Sequence, residues 1–186
     1  AGSCGFPVHS IFHVWEKQLK KRGLPKSHLF TAEEKLPEQK DYVREKVFAI
    51  DFDERAVRVA RTLNLIAGDG QTNVLHLNTL DYERWEDFTE EESWKDVYYE
   101  GWKKFKKLRK TTDQNRDFQF DILMANPPFA GEIKETRILS KYDLGKNAAG
   151  KMQNKVGRDI LFIERNLDFL KSGGRMAVVL PQGRFN

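Results

Sequence analysis

The sequence predicts an α/β fold built on a parallel, doubly wound sheet, and three observations carry that expectation. A glycine-bearing start, Ala1-Gly2-Ser3-Cys4-Gly5-Phe6, feeds an amphipathic stretch; a short apolar strand, Val47-Phe48-Ala49-Ile50, ends on Asp51; and a second apolar run, Phe120-Asp121-Ile122-Leu123-Met124-Ala125, is closed by Asn126-Pro127-Pro128-Phe129. Short apolar runs bounded by turn formers read as buried parallel strands. In open α/β sheets the carboxyl ends of such strands are where ligands bind.

Taken in order, Val8, Ile11, Phe12, Trp15 and Leu19 recur at helical spacing, which predicts a helix ending near Gly23-Leu24-Pro25. A glycine-rich turn at a helix N-terminus lets a ligand approach the backbone and meet free N–H groups; the alternative is an ordinary helix entry. Residues 26–42 are polar and charged and read as an insertion. It places the strand acid about forty-five residues after the glycines, against roughly twenty in a dinucleotide-binding fold. Glu54 to Ala67 reads as a helix burying Val57, Leu63 and Ile66 with Gly68 beyond its end, and Val74 to Leu77 as a third strand. Asp51 closes the strand at 47–50, and its ligand-holding role is what the resemblance described below implies. Capping the next helix is its alternative role, although Asp53 fits that task better. Phe52 is either an apolar wall for a ligand or a core phenylalanine.

Segment 85–117 is aromatic and basic. Its run Lys103-Lys104-Phe105-Lys106-Lys107-Leu108-Arg109-Lys110 is either a phosphate-neutralising surface or the solvated face of a helix whose aromatics, Trp94, Tyr98, Tyr99 and Trp102, pack inward. The stretch 132–157, with Gly145, Gly150 and Gly157 at its spacings, reads as a long mobile loop. Residues 158–181 read as a helix and a strand.

Composition sets bounds. A chain of 186 residues, 39% hydrophobic and 32% charged, suits one α/β domain with a substantial core. No apolar stretch approaches the ~20 residues of a membrane span, and no signal peptide opens the chain. One cysteine excludes an internal disulfide framework and fits a reducing, cytoplasmic setting. His9, His13, His28 and His76 are scattered, so no metal site is expected. A net charge of +4 permits a nucleic-acid partner without requiring one.

The chemistry lies in the loop. Asn126 precedes a proline, which biases it toward extended backbone, and neither Pro127 nor Pro128 has an N–H. The Asn126 amide oxygen and the Pro127 carbonyl therefore present acceptors without competing backbone donors, and Phe129 adds a ring face. That set suits a planar NH2 group. Holding its hydrogens in place localises the nitrogen lone pair, a form of electrostatic preorganisation.

With these residues the chain resembles the amino-methyltransferases that use S-adenosylmethionine, most closely the modification subunits of type I restriction-modification systems, which methylate adenine N6 in DNA. Ala1-Gly2-Ser3-Cys4-Gly5-Phe6 resembles the tail of that family's glycine-rich loop, without its leading Asp-Pro and with Cys4 where a glycine is common. Val47 to Asp53 is similar to the second cofactor strand, and His76-Leu77-Asn78-Thr79-Leu80 to the third element, where Asn78 replaces a frequent Asp. Gly157 to Leu170 and Gly173 to Pro181 resemble the helix and strand that follow the catalytic loop.

The resemblance implies a Rossmann-like fold. It implies a cofactor set of Ala1, Gly2, Ser3, Gly5, Phe6, Asp51, Phe52, Asn78, Thr79 and Leu80, with Asp81 a nearby substitute for Asn78, and a catalytic set of Asn126, Pro127, Pro128 and Phe129. It also implies double-stranded DNA as substrate, with the target adenine rotated out of the stack. The expected companions are a specificity subunit, a second methyltransferase subunit and a restriction subunit. The chain is expected to be an excerpt that lacks the first strand and the C-terminal strands. Methyltransferases acting on ribosomal RNA or on a protein glutamine use a similar loop, though the Glu-Pro of the glutamine enzymes is absent after Phe129. A silent binding module of the same fold is the remaining alternative.

Overall fold

The computed structural model describes residues 2, 4–66, 73–109 and 118–184. Ala1, Ser3 and the expected helix end at Ala67 and Gly68 lie outside them. In chain order the elements are α1 (Gly5–Lys21), α2 (His28–Thr31), α3 (Pro37–Lys46), β1 (Ala49–Asp51), α4 (Glu54–Ile66), β2 (Val74–His76), α5 (Trp85–Thr89), α6 (Glu92–Leu108), β3 (Phe120–Ala125), β4 (Glu132–Ile133), α7 (Thr136–Leu139), β5 (Val156–Gly157), α8 (Arg158–Phe169) and β6 (Leu170–Val178). The chain divides into two compact units, Ala1–Leu77 with Glu86–Phe105, and Asn78–Trp85 with Lys106–Asn186. The mixed α/β class holds. Each unit has its own parallel strand pair, and among the described residues no ladder is wider than two strands.

In the first unit, α1 turns Ile11, Trp15 and Leu19 inward onto Leu29 of α2 and Val43 of α3. The Trp15 indole N–H donates to the Gln39 carbonyl at 3.0 Å, which satisfies its one donor inside the core. The segment 26–42 is therefore more than a polar insertion. Its few apolar residues fall where two short helices can bury them, each contributing roughly 1.5–3 kcal/mol.

β1 and β2 run parallel in the register Ala49↔Val74, Ile50↔Leu75 and Asp51↔His76. Asn73 fixes the entry to β2, its amide donating to the carbonyls of Val43, Arg44 and Val47 at 3.2, 2.9 and 2.9 Å. On α4 the buried face is Val57, Ala60 and Asn64, whereas Leu63 is 39% exposed. Leu63 lies six residues past Val57, off the i, i+3, i+7 row that faces inward. Trp94, Tyr98, Trp102 and Phe105 of α6 are buried, so the aromatics of the basic segment do pack inward, while Tyr99 is exposed.

In the second unit, β3 and β6 run parallel through Leu123↔Met176 and Ala125↔Val178, with a register shift between Phe120 and Ile122. Ile122 is 62% exposed, and Met124 shares its outward face. The strand expected to be buried on both sides is covered here on one. Beneath it, the guanidinium carbon of the fully buried Arg165 lies 3.9 Å from the Tyr82 ring centre and 4.7 Å from that of Phe169. Such faces attract a cation strongly once water is gone.

The stretch 132–157, read from its glycines as a loop, is built. β4 and β5 pair antiparallel, α7 lies between them, and Lys146 bridges Met152. Ile138, Leu139, Tyr142 and Val156 bury against Leu80 and Leu161. Glu164 accepts the N–H groups of Asp143 and Leu144 at 2.7 and 2.9 Å, holding the turn between α7 and β5. No helix among the described residues is long and apolar enough to cross a membrane.

Candidate active site

Each unit carries one set of the expected site residues. In the first, Asp51 ends β1, and the parallel ladder fixes its backbone through the Leu77 N–H, which donates to the Asp51 carbonyl at 3.0 Å. The Asp51 carboxylate accepts the Gly2 N–H at 2.6 Å and the Asp53 N–H at 2.9 Å. The glycine turn and the strand acid, far apart in sequence, are thus in contact. Burial acts to raise the Asp51 carboxyl, and these two N–H donors act to lower it. Asp53 caps α4, its side chain accepting from Arg55 N–H at 2.8 Å and Ala56 N–H at 3.2 Å. Asp51 is therefore not the cap.

The turn before α1 is bent by two left-handed residues, Gly2 at φ 54° and Cys4 at φ 64°. Cys4 thus occupies a conformation natural to glycine, which accounts for the glycine common at that position in the resembled family. Its side chain is buried. The first turn of α1 carries no acidic residue and no side-chain cap hydrogen bond.

Phe52 is 59% exposed and is not a core residue. Its ring stacks on His76 at 6.0 Å and 28°, and His76 Nε2 lies 2.9 Å from the Phe52 carbonyl. His76 is held in turn by edge contact with Phe88 at 5.6 Å, and its carbonyl accepts the Trp94 indole N–H at 2.9 Å. Sequence reasoning set His76 aside as a scattered histidine. The signal that finds it is the parallel register, which sets it opposite Asp51.

In the second unit, Asn78, Thr79 and Leu80 form a tight turn. The Asn78 side-chain oxygen accepts the Leu80 N–H at 3.1 Å, and its backbone carbonyl accepts the Trp85 indole N–H at 2.7 Å. With the oxygen engaged, the amide nitrogen is the group Asn78 offers. The buried Tyr142 hydroxyl donates to the Leu80 carbonyl at 2.7 Å, and burial pushes this phenol strongly up. Asp81, the nearby substitute for Asn78, makes a two-pronged pair with Arg137 at 2.5 and 2.7 Å.

The loop Asn126-Pro127-Pro128-Phe129 leaves the end of β3, anchored where Val179 N–H donates to the Ala125 carbonyl at 3.0 Å. Pro127 is buried; Asn126, Pro128 and Phe129 are exposed. Among the described residues, nothing hydrogen-bonds to the Asn126 amide or the Pro127 carbonyl, and no ring stacks on Phe129. No group of three or more potential metal ligands clusters among the described residues.

The Eco57I restriction-modification methylase family matches residues 45–186, a span that contains Asp51, Phe52, Asn78 to Leu80 and the whole Asn126 loop but not the glycine turn. No curated protein matches the chain. On a match covering most of its length, the chain belongs to the Eco57I restriction-modification methylase family.

Proposed function

We propose that this chain transfers a methyl group from S-adenosylmethionine to the N6 amine of an adenine in double-stranded DNA, as the modification component of a restriction-modification system. The observation that carries the reading is the loop after β3, where an exposed amide and a proline carbonyl, both unengaged among the described residues, stand ahead of a bare phenylalanine ring. Family membership supports a methylase; the loop chemistry supports an aryl amine as acceptor.

The donor set of the first unit fits the cofactor. The Asp51 carboxylate, which meets the Gly2 and Asp53 N–H groups at the end of β1, is the acceptor that would hold the ribose hydroxyls. Phe52 offers its open face to a purine, and the α1 N-terminus, with Gly2, Gly5 and Phe6 around it, suits a carboxylate. Ala1 and Ser3 belong to the same proposed turn. When bound, S-adenosylmethionine supplies a methyl group activated by a sulfonium.

The remaining work is done by the chain. Phe129 receives the base after it leaves the stack, offsetting part of the unstacking cost of a few kcal/mol. Asn126 and the Pro127 carbonyl accept the two amine hydrogens and hold the nitrogen lone pair toward the methyl, while buried Pro127 and the adjoining Pro128 keep the loop stiff. Asn78, with Thr79 and Leu80 shaping its turn, would help hold the cofactor through its amide nitrogen. After transfer the amine loses a proton to solvent, and no dedicated base is assigned.

A Rossmann-like doubly wound fold is part of this reading and is supported by parallel pairing in both units. So is assembly with a specificity subunit, a second methyltransferase subunit and a restriction subunit, in the manner of type I systems. The test is incubation of the protein with methyl-labelled cofactor and plasmid DNA, ribosomal RNA or release factor in parallel. Label in DNA alone is expected; label in RNA or protein alone overturns the proposal. Co-purification from the native host tests the companions separately.

A further inference from the structure

The segment that follows the loop carries the whole charge imbalance of the chain. Between residues 130 and 158, seven basic side chains stand against three acidic ones, an excess equal to the net +4 of the full sequence. Four of the seven are neutralised within the second unit, Arg137 by Asp81, Lys141 by Glu83, Lys146 by Asp143 and Lys155 by Glu132. Lys134, Lys151 and Arg158 are exposed and have no acidic partner among the described residues.

Arg158 is the most closely fixed of the three. Its guanidinium lies against Gly131, where an added Cβ would run into Nη2 and stand 2.6 Å from both Cζ and Nε. Gly131 has a φ of 95°, open to glycine and strained for other residues, and its carbonyl accepts the Arg158 N–H at 3.1 Å. Consecutive Cα atoms are about 3.8 Å apart, so the backbone beneath this cation is at most roughly 7.6 Å from that of Phe129. Arg158 also opens α8, where the helix dipole disfavours a positive charge. Lys134 leaves the same small ladder, one residue past the Ile133↔Val156 pair. A cation placed against the dipole, without an internal anion and seated beside the loop, suits an anion from outside.

Building on the reading of the loop as an adenine-amine site, we infer that Arg158, seated on Gly131 and assisted by Lys134, binds a DNA backbone phosphate flanking the extruded adenine. A guanidinium presents two parallel donors to a phosphate, which fixes orientation as well as charge, whereas an ammonium supplies charge alone. The phosphate contact would set the register of the strand on the loop without reading its sequence.

The test measures duplex affinity across a salt series for the wild-type protein, Arg158→Ala, Arg158→Lys and Lys134→Ala, with melting temperature and cofactor affinity measured alongside. Arg158→Ala is expected to weaken duplex binding about tenfold and to reduce the slope of log affinity against log salt by about 0.9, the signature of one lost phosphate contact. Cofactor affinity and melting temperature stay at wild-type values. Arg158→Lys retains the slope but binds about threefold more weakly, and Lys134→Ala gives a smaller loss of slope. Gly131→Ala, which displaces the guanidinium without removing its charge, should resemble Arg158→Lys; if it does not fold, Arg158→Ala decides alone. Wild-type slope and affinity in Arg158→Ala, in a protein that methylates adenine, overturn the phosphate contact and leave the adenine reading standing. A wild-type protein that places no methyl on adenine removes that reading, and this inference with it.

Discussion

The two sets of candidate residues, one in each compact unit, differ in how far their polar groups are engaged before any ligand arrives. At Asp51 both carboxylate oxygens already accept backbone N–H groups, and the neighbouring Phe52 is stacked and hydrogen-bonded by His76. At Asn126 and Pro127 the acceptors have no internal donor among the described residues, and the Phe129 ring has no aromatic neighbour. The proposed function gives this difference a reason, in what each set would hold. On the proposed reading, a cofactor used in every turnover is served by the Asp51 group that the β1–β2 ladder fixes. On the same reading, a base that visits from a duplex meets the exposed Asn126 amide, which water satisfies until the amine displaces it. The exposed Asn126 amide costs the folded protein little, because it is not buried without a partner.

Substitutions can break this contrast in order of expected size. Asn126→Ala should lower the methyl-transfer rate by about 10²–10³-fold, the usual effect of removing one preorganised polar group, while cofactor affinity and melting temperature stay put. Rapid-quench transfer assays beside calorimetric titration separate the two, and near-normal turnover would remove Asn126 from the chemistry. Asp51→Ala should do the opposite, weakening cofactor binding by roughly 10- to 100-fold through lost charge-assisted hydrogen bonds, with the rate at saturating cofactor largely kept. A collapsed rate with unchanged affinity would contradict that assignment.

Phe129→Ala should cost about tenfold in transfer to duplex DNA, on the order of one base-stacking contact, and less on a substrate whose target adenine is mismatched and already loosened. Equal losses on both substrates would count against stacking. The smallest effect is expected at His76. His76→Phe keeps a ring beneath Phe52 but loses the hydrogen bond to its carbonyl, worth about 1 kcal/mol, so cofactor affinity should fall about fivefold while DNA affinity is unaltered. His76→Gln, with a donor but no ring, should recover part of the loss only if the hydrogen bond matters.

The sequence made some of this arrangement legible and hid the rest for physical reasons. Asn126 to Phe129 announced itself because proline and asparagine after an apolar run leave few backbone choices. Asp51 was readable as a strand-end acid, and Asp53 as the helix cap it proves to be. His76 was not readable, because its importance depends on a parallel register that brings it opposite Asp51 from twenty-five positions away. The segment 132–157 looked like a loop because its glycines and lysines dominate its composition. Its order comes from a few apolar residues meeting Leu80 and from the Asp81–Arg137 pair, long-range contacts that no local pattern encodes. Leu63 was misplaced because helical spacing selects a face only when the buried neighbours, here Ala60 and Asn64, are known.

The central claim is that the loop after β3 grips the exocyclic amine of adenine. Its most direct test is nucleoside mass spectrometry of DNA methylated by the wild-type protein and by Asn126→Ala. The account predicts N6-methyladenine as the product of the wild-type protein and its loss in the variant. Methyl groups found on cytosine, or N6-methyladenine formed equally well without the Asn126 amide, would contradict it.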